Sequence, residues 1–385
     1  MMKSHSYCVF VILTLLAGVL NAAAQVANLG IAPVSDGQFL LYWPADGTTS
    51  NVLQTKASLT ATNWVTASNA VAVNAVTVTN KAPQGYFRVL EYTNSPGMAL
   101  IPGGTFTMGN LLTSNVFMPL RSDSDISNAR PANVSVSAFF MDVNLVDADQ
   151  WEAVYTYAQG RGYVFANAGM AQANTTPIQT VDWYDCAAWC NARSVQAGLV
   201  PCYYKNSAMT EVYSNATGKT IYQNINNSGF RLPTEAEWEW AARGGLAGNR
   251  FPWGDFSSGD RANYDSEPIP ELNYDWGPEY FNQVFYDGID GTSPGGTFPP
   301  NGFGLYDMAG NVEQWCWDVY SGTPYPSGSP YLGGTNPTGP ATGPNRVLRG
   351  GAWDENATLL RCANRDYLGP NMAYDDCGFR CVRGY

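Results

Sequence analysis

The first part of the chain, from residue 27 to residue 92, alternates short apolar and β-branched runs with clusters of turn residues. Runs of this kind and length are typical of strands in a small antiparallel β-sandwich. The pattern predicts strands at 38–43, 51–56, 63–67, 75–79 and 85–91. A turn-rich stretch at 93–97 follows. We therefore expect a small all-β sandwich module with its linker over residues 25–95.

Beyond residue 95 the pattern changes to long loops rich in Gly, Trp and Asn, with two clear helical patterns. The first begins at Asp182, whose carboxylate can accept hydrogen bonds from the free amides of the first turn. The second begins at Thr234, which can form a capping box with Glu237, and it stops before Gly244. These features predict an α+β domain with much irregular loop over residues 96–385.

The first 24 residues have the pattern of a signal peptide. Lys3 precedes an apolar stretch at 9–20, and three alanines at 22–24 offer a cleavage site before Gln25. The apolar stretch is too short to cross a bilayer as a helix, and no other segment is long enough. We therefore expect a secreted or periplasmic protein with a signal peptide over residues 1–24 and no membrane span.

The composition excludes several classes of function. The net charge is −12, from 32 acidic and 20 basic residues, whereas nucleic-acid-binding proteins need a Lys/Arg-rich surface, so no nucleic-acid partner is expected. The only histidine, His5, lies in the predicted signal peptide. Because the mature chain would lack imidazole, Ser-His-Asp and Cys-His catalysis and histidine-based zinc or iron sites are excluded.

The cysteines after residue 24 all lie in the second half of the chain. In an oxidising compartment such cysteines usually form structural disulfides, and seven of them leave at least one thiol free or paired between molecules. The spacing does not determine which residues pair. The seven are Cys186, Cys190, Cys202, Cys316, Cys362, Cys377 and Cys381.

The second domain carries a series of motifs in a fixed order. They are IPGGTFTMG (101–109), PIQTVDWYD (177–185), RLPTEAEWE (231–239), AARGG (241–245), FPWG (251–254), NGFGLYDMAGNV (301–312), RVLRGGAW (346–353) and GFRCVR (378–383). In these motifs the domain resembles the formylglycine-generating enzyme, or sulfatase-modifying factor, family. The resemblance implies a variant of the C-type-lectin-like fold.

The catalytic positions of that family are altered. Family enzymes bind copper through two cysteines that follow a Gly-Gly-Ser segment, and they use oxygen to convert a substrate cysteine to formylglycine. Here Ala352 replaces the serine, Glu355 stands at the first cysteine and Leu360 at the second. Carboxylates hold Cu(I) poorly, so the resemblance implies that copper is absent and that no catalytic residue remains.

The resemblance also implies a disulfide. Cys190 and Cys381 match the positions of a family disulfide that ties the first helix to the last strand. Cys362 matches half of a second one, but its partner position is Ala242. Cys362 is therefore free or paired with another cysteine.

Structural calcium is the cofactor that the resemblance implies. A first site would use the side chains of Asn263 and Asp287 and the carbonyls of Tyr264 and Ile289, and a second the side chains of Asp307 and Gln314 and the carbonyls of Gly310 and Val312. Gln314 stands where the family prefers Glu, so the second site should bind more weakly. The alternative is ordinary Asx-type turns without an ion.

A groove remains where family enzymes would hold a substrate peptide. Its expected floor is Trp353, Asp354, Glu355, Arg361, Asn364, Arg365, Asp366 and Tyr367, with Asn371 and Tyr374 in the adjoining loop. Mixed aromatic, amide and charged groups on loops suit adaptable binding of a peptide, protein or glycan. The alternative is that Trp353 and Arg361 only pack inside the domain.

Three functions follow as hypotheses. The first is an exported, non-catalytic peptide or glycan binding module, similar to proteins of this fold whose C-terminal segment is the ligand face, with the variable proteins of diversity-generating retroelements as a special case. The second is an oxygen-dependent oxidoreductase with altered ligands that modifies exported proteins or peptides. The third is a structural or adhesion protein in which the N-terminal module is a spacer.

Overall fold

The computed structural model describes residues 97–112, 129–216, 220–266, 274–277, 285, 291–322 and 331–384, and elsewhere the backbone of strands only. The chain divides into two compact units, residues 1–104 and 105–385. Asp287 and Ile289, predicted to bind calcium, lie outside the described residues.

The first unit consists of antiparallel strands in two sheets. Its strands are β1 (Val11–Leu16), β2 (Val19–Ala24), β3 (Gly30–Ser35), β4 (Gln38–Tyr42), β5 (Thr49–Lys56), β6 (Val65–Ser68), β7 (Ala75–Thr79) and β8 (Gln84–Thr93). One sheet has the order β2-β1-β8-β5-β6 and the other β3-β4-β7. Each of the five predicted strands overlaps an observed strand. The alternation of apolar and polar residues that predicts a strand lies within the strand itself, so the sequence shows it directly. β1 and β2 lie in the predicted signal peptide, and β1 pairs with β8.

The second unit contains α1 (Ala148–Gln159), α2 (Trp183–Gln196) and α3 (Glu235–Ala242). Asp182 accepts a hydrogen bond from the Asp185 amide at 2.8 Å, and Thr234 accepts one from the Glu237 amide at 3.2 Å. Both helices therefore begin where the sequence predicts. Among the described residues, no helix is long and apolar enough to cross a membrane.

The sequence analysis missed α1. Asp147 caps it by accepting a hydrogen bond from the Gln150 amide at 2.8 Å. Trp151, Val154 and Ala158 are its buried residues. This cap and the helical spacing of the buried side chains were the available signals.

The later strands are short. They are β9 (Met98–Ile101), β10 (Gly104–Met108), β11 (Ala132–Val136), β12 (Phe139–Asp142), β13 (Tyr203–Tyr204), β14 (Tyr222–Gln223), β15 (Phe230–Arg231), β16 (Asp265–Ser266), β17 (Tyr280–Phe281), β18 (Glu313–Val319), β19 (Arg346–Arg349), β20 (Asp366–Leu368), β21 (Cys377–Gly378) and β22 (Val382–Gly384). Few helices and many short strands confirm the predicted α+β class.

One sheet positions the candidate site. Its strand order is β20-β19-β18-β21. Glu313 on β18 pairs in parallel register with Cys377 on β21, and Leu348 on β19 pairs with Asp366 on β20. Segments distant in sequence are thereby joined in one sheet.

Aromatic side chains from both ends of the second unit form much of its core. The rings of Trp151 on α1 and Trp189 on α2 stack with centroids 5.8 Å apart. Phe379 packs edge-on against both rings, at 6.1 and 5.3 Å. The core therefore holds the C-terminal segment against the two helices.

Candidate ligand-binding face and acidic cluster

Part of the predicted groove floor is buried inside the domain. Arg361, Asn364 and Arg365 are each at most 6% exposed. Arg365 donates to Glu235 on α3, and Arg361 Nε donates to the Thr358 carbonyl oxygen at 2.6 Å. A carbonyl and a carboxylate hold the guanidinium groups of Arg361 and Arg365 inside the domain, and Asn364 is buried as well.

Trp353 is also buried. A Cβ added to Gly291 would lie 2.4 Å from its Cε3, so the indole packs tightly under the loop at residue 291. This environment fits the alternative stated above for Trp353, that its side chain only packs inside the domain.

Other predicted groove residues are accessible. Tyr367 is 48% exposed and Tyr374 is 46% exposed. The Tyr367 ring stacks on Tyr320 with centroids 4.3 Å apart. Asp354 is exposed, and so is Asp375, which was not among the predicted groove residues; the charges of the two interact. We call Asp354, Tyr367, Tyr374 and Asp375 the open face.

Three carboxylates meet beside the open face. One oxygen from each of Glu313, Glu355 and Asp366 lies within 4.8 Å of the other two. Glu313 begins β18, Asp366 begins β20, and Glu355 follows the turn after Trp353. We call these three residues the acidic cluster.

The sequence analysis identified Glu355 and Asp366 but missed Glu313. The Glu313 carboxylate also lies near the Asp376 carboxylate and the Cys377 thiol. In the sequence, Glu313 is marked only by its position directly after the NGFGLYDMAGNV motif. That position does not show which side chains lie near its carboxylate.

Burial and repulsion between carboxylates disfavour ionisation of Glu355 and Glu313. Burial, followed by repulsion from Asp366 and Asp376, raises the pKa of Glu355 to about 8. Burial, followed by repulsion from Glu355, raises the pKa of Glu313 well above its usual range. These carboxyl groups therefore either hold protons or, when they are ionised, need a cation to offset their charge.

A family model described as the sulfatase-modifying factor enzyme 1-like domain matches residues 84–385, which is most of the chain. The chain belongs to the sulfatase-modifying factor family. This result confirms the resemblance recognised in the sequence motifs.

Two similar proteins show how much of the chain the sequence similarity covers. The formylglycine-generating enzyme of Thermomonospora curvata is 31% identical over 309 residues, which cover 74% of this chain and 93% of that enzyme. A protein named serine/threonine-protein kinase pkn1 from Chlamydia pneumoniae is 30% identical over 286 residues, which cover 74% of this chain. The chain spans only 38% of the length of that kinase-named relative.

The fold of the sulfatase-modifying factor domain also has solved counterparts. Treponema denticola variable protein 1 superposes with a TM-score of 0.54 and 28% identity, over 76% of this chain and 95% of that one. The similarity confirms the predicted type of α+β fold.

The residues at the family's copper positions do not fit copper. Leu360 is fully buried and apolar, and Glu355 belongs to the acidic cluster. Cu(I) prefers thiolates. Of the two positions that the resemblance assigns to copper, Glu355 offers a carboxylate and Leu360 offers no donor atom.

Gln314, predicted as a calcium ligand, is a hydrogen-bond hub. Its side-chain oxygen accepts from Trp238 Nε1 and from Arg380 Nε, both at 2.8 Å. Its amide nitrogen donates to the Asp307 carbonyl oxygen at 2.9 Å. Both lone pairs of the oxygen are used and one donor is cationic, so this side chain does not fit a calcium ion in this arrangement.

The other predicted calcium ligands lie close together. Gly310, with φ of 76°, approaches the first site so tightly that an added Cβ would lie 2.3 Å from the Asn263 carbonyl oxygen. Asn263 Nδ2 donates to the Gly291 carbonyl oxygen at 2.6 Å. Burial raises the pKa of Asp307 to about 6. Tyr264 and Val312 are buried beside these residues.

The structure brings Cys190 and Cys381 together. Their sulfur atoms lie 3.4 Å apart, both side chains are buried, and both are free thiols here. The disulfide remains a prediction. Burial raises the pKa of the Cys362 thiol to about 12, which disfavours a reactive thiolate there.

Proposed function

We propose that this protein is an exported member of the sulfatase-modifying factor family that binds a peptide or glycan ligand on the open face and performs no copper chemistry. The observation that carries this proposal is that Tyr367 and Tyr374 of the predicted groove are exposed, while Glu355 and Leu360 stand where the resemblance places the copper ligands.

The chemistry of the open face suggests the kind of ligand. Tyrosine rings offer rigid contact area with one polar group each, and they stack on apolar or sugar surfaces. Asp354 and Asp375 add negative charge, which favours a peptide that carries Lys or Arg. A basic peptide is therefore the preferred ligand class, and a glycan is the second.

Treponema denticola variable protein 1 has the same fold as this chain. A ligand face formed by the C-terminal segment of that fold is the first hypothesis drawn from the sequence. No activity is inferred from the kinase-named relative, because the chain covers only 38% of the length of that protein.

The test is a binding screen with the whole chain on arrays of Lys/Arg-containing peptides, neutral peptides and glycans. We expect a ligand whose affinity falls at least about tenfold in Tyr367→Ala, since removing one central aromatic contact costs more than about 1.4 kcal/mol. Tyr222→Ala is the matched control, because Tyr222 is also exposed but belongs to β14. Equal affinities in the two variants would contradict the assignment of the open face.

An oxidoreductase with altered ligands is the second candidate. It is favoured by the coverage of the Thermomonospora curvata enzyme, which matches over 93% of its length. Stoichiometric copper or iron in protein purified without chelators, together with oxygen consumption on cysteine-containing peptides, would establish it over the binding module. Structural calcium is compatible with both candidates.

A further inference from the structure

Glu313 is the most unusual side chain of the acidic cluster. It is only 5% exposed. No hydrogen bond or ion pair joins its carboxylate to the part of the chain that the structure describes, and the charges that interact with it belong to Glu355, Asp366, Asp376 and Asp354. A buried carboxylate surrounded by other carboxylates is costly unless a cation accompanies it.

The geometry of the acidic cluster matches that of a metal site. Two oxygens bound to the same calcium ion lie at most about 5 Å apart, because each calcium–oxygen distance is about 2.3 to 2.6 Å. The three carboxylate oxygens of the acidic cluster all lie within 4.8 Å of one another, so one calcium ion could contact all three.

The scaffold holds these ligands in place. Glu313 and Asp366 begin two strands of the same sheet, and the Glu355 carboxylate is oriented by the Ala352 amide, which donates to it at 3.0 Å. Asp376 is less suited as a ligand, because its carboxylate accepts from the Cys377 thiol at 3.1 Å.

We propose that Glu313, Glu355 and Asp366 bind one hard divalent cation, of the size of calcium, beside the open face. The ion offsets the charge of the buried carboxylate and joins β18, β20 and the turn before Glu355. This site shares no residue with the two calcium sites implied by the family. It goes beyond the proposed function and does not depend on a ligand at the open face.

The test is calorimetric titration of the whole, chelator-treated protein with CaCl2, with MgCl2 as a second probe. We expect Glu313→Gln to lose one binding event relative to the unmodified protein. Glu355→Gln and Asp366→Asn should weaken the same event at least about tenfold, since even partners of a metal ligand are worth tenfold to a hundredfold in affinity. Magnesium should bind this site more weakly than calcium.

Asp375→Asn is the matched control, because it removes one nearby negative charge but none of the three ligands. The proposal is overturned if Glu313→Gln keeps every calcium-binding event at unchanged affinity, or if Asp375→Asn weakens the event as much as Glu355→Gln does. Should Glu313→Gln fail to fold, the partly exposed Glu355 provides the same comparison.

A second measurement separates this site from a general role in folding. Excess calcium should raise the unfolding temperature of the unmodified protein by more than that of Glu313→Gln, because only the unmodified protein has all three carboxylates of the site. Tyr367→Ala keeps all three carboxylates and should keep the calcium event, so failure to find a peptide or glycan ligand leaves this test intact.

Discussion

Arg365 and Glu235 form a bidentate ion pair between two fully buried side chains. The Arg365 Nε and Nη2 atoms donate to the two Glu235 carboxylate oxygens at 2.5 and 2.9 Å. Arg349 Nε lies 3.6 Å from the same Glu235 oxygen that Arg365 Nε contacts, and Arg349 also pairs with Glu239. Burial alone would raise the pKa of Glu235, but Arg365 and then Arg349 overcome this effect and lower it. This pairing connects α3 to the C-terminal segment.

Breaking this pair should strongly destabilise the fold. Arg365→Met removes the nearest cation from the buried Glu235 carboxylate and leaves only the more distant Arg349 as a cation, so we expect the free energy of unfolding to fall by about 3 kcal/mol. Urea unfolding measures it. The exposed Arg161→Met is the control and should change the free energy of unfolding by less than about 0.5 kcal/mol. A loss for Arg365→Met no larger than that of the control would refute a structural role.

The stability of the protein should fall as the pH rises through Asp318's titration range. Burial, followed by repulsion from Glu235, raises the pKa of Asp318 from 3.8 to about 7. The folded state therefore keeps a proton that the unfolded state releases above pH 3.8. This contribution to stability is fully present below that pH and is lost as the pH rises to about 7.

Asp318→Asn tests this titration. The amide oxygen can still accept a hydrogen bond from the Glu235 amide or the Tyr331 hydroxyl. We expect the drop in the urea midpoint between pH 5 and pH 8 to be smaller in Asp318→Asn than in the unmodified protein. An equal drop in both proteins would assign the pH dependence to other acids.

The difference between what could and could not be predicted follows from sequence distance. The starts of α2 and α3 were predictable because Asp182 and Thr234 cap amides three residues away. The partner of Arg365 lies 130 residues away, so no local pattern shows that its side chain turns inward. Glu313 and Asp366 likewise come together only through the sheet, so the acidic cluster follows from the topology.

The contact between Cys190 and Cys381 predicts a disulfide in protein made in an oxidising compartment. The bridge would join residues 191 positions apart, and its loss should cost about 2–5 kcal/mol. We expect non-reducing peptide mapping by mass spectrometry to find the linked pair. Reductant should lower the urea midpoint of the unmodified protein to that of Cys381→Ser and leave the variant unchanged. A reductant effect of equal size in both proteins would place the important disulfide elsewhere.

Gln314→Glu tests whether the second family calcium site can be restored. The new carboxylate would face the Asp307 carbonyl oxygen that the Gln314 amide now contacts at 2.9 Å. Without calcium we therefore expect the free energy of unfolding to fall by about 1–3 kcal/mol, because a buried acceptor loses its donor. With calcium, calorimetric titration should detect one additional bound ion and recovery of the urea midpoint, since the exchange adds the charge that the site lacks. Gln196→Glu, exposed on α2, adds the same charge elsewhere and should change neither quantity. No additional ion in Gln314→Glu would mean that Gln314 serves this chain only as the hydrogen-bond partner of Trp238 and Arg380.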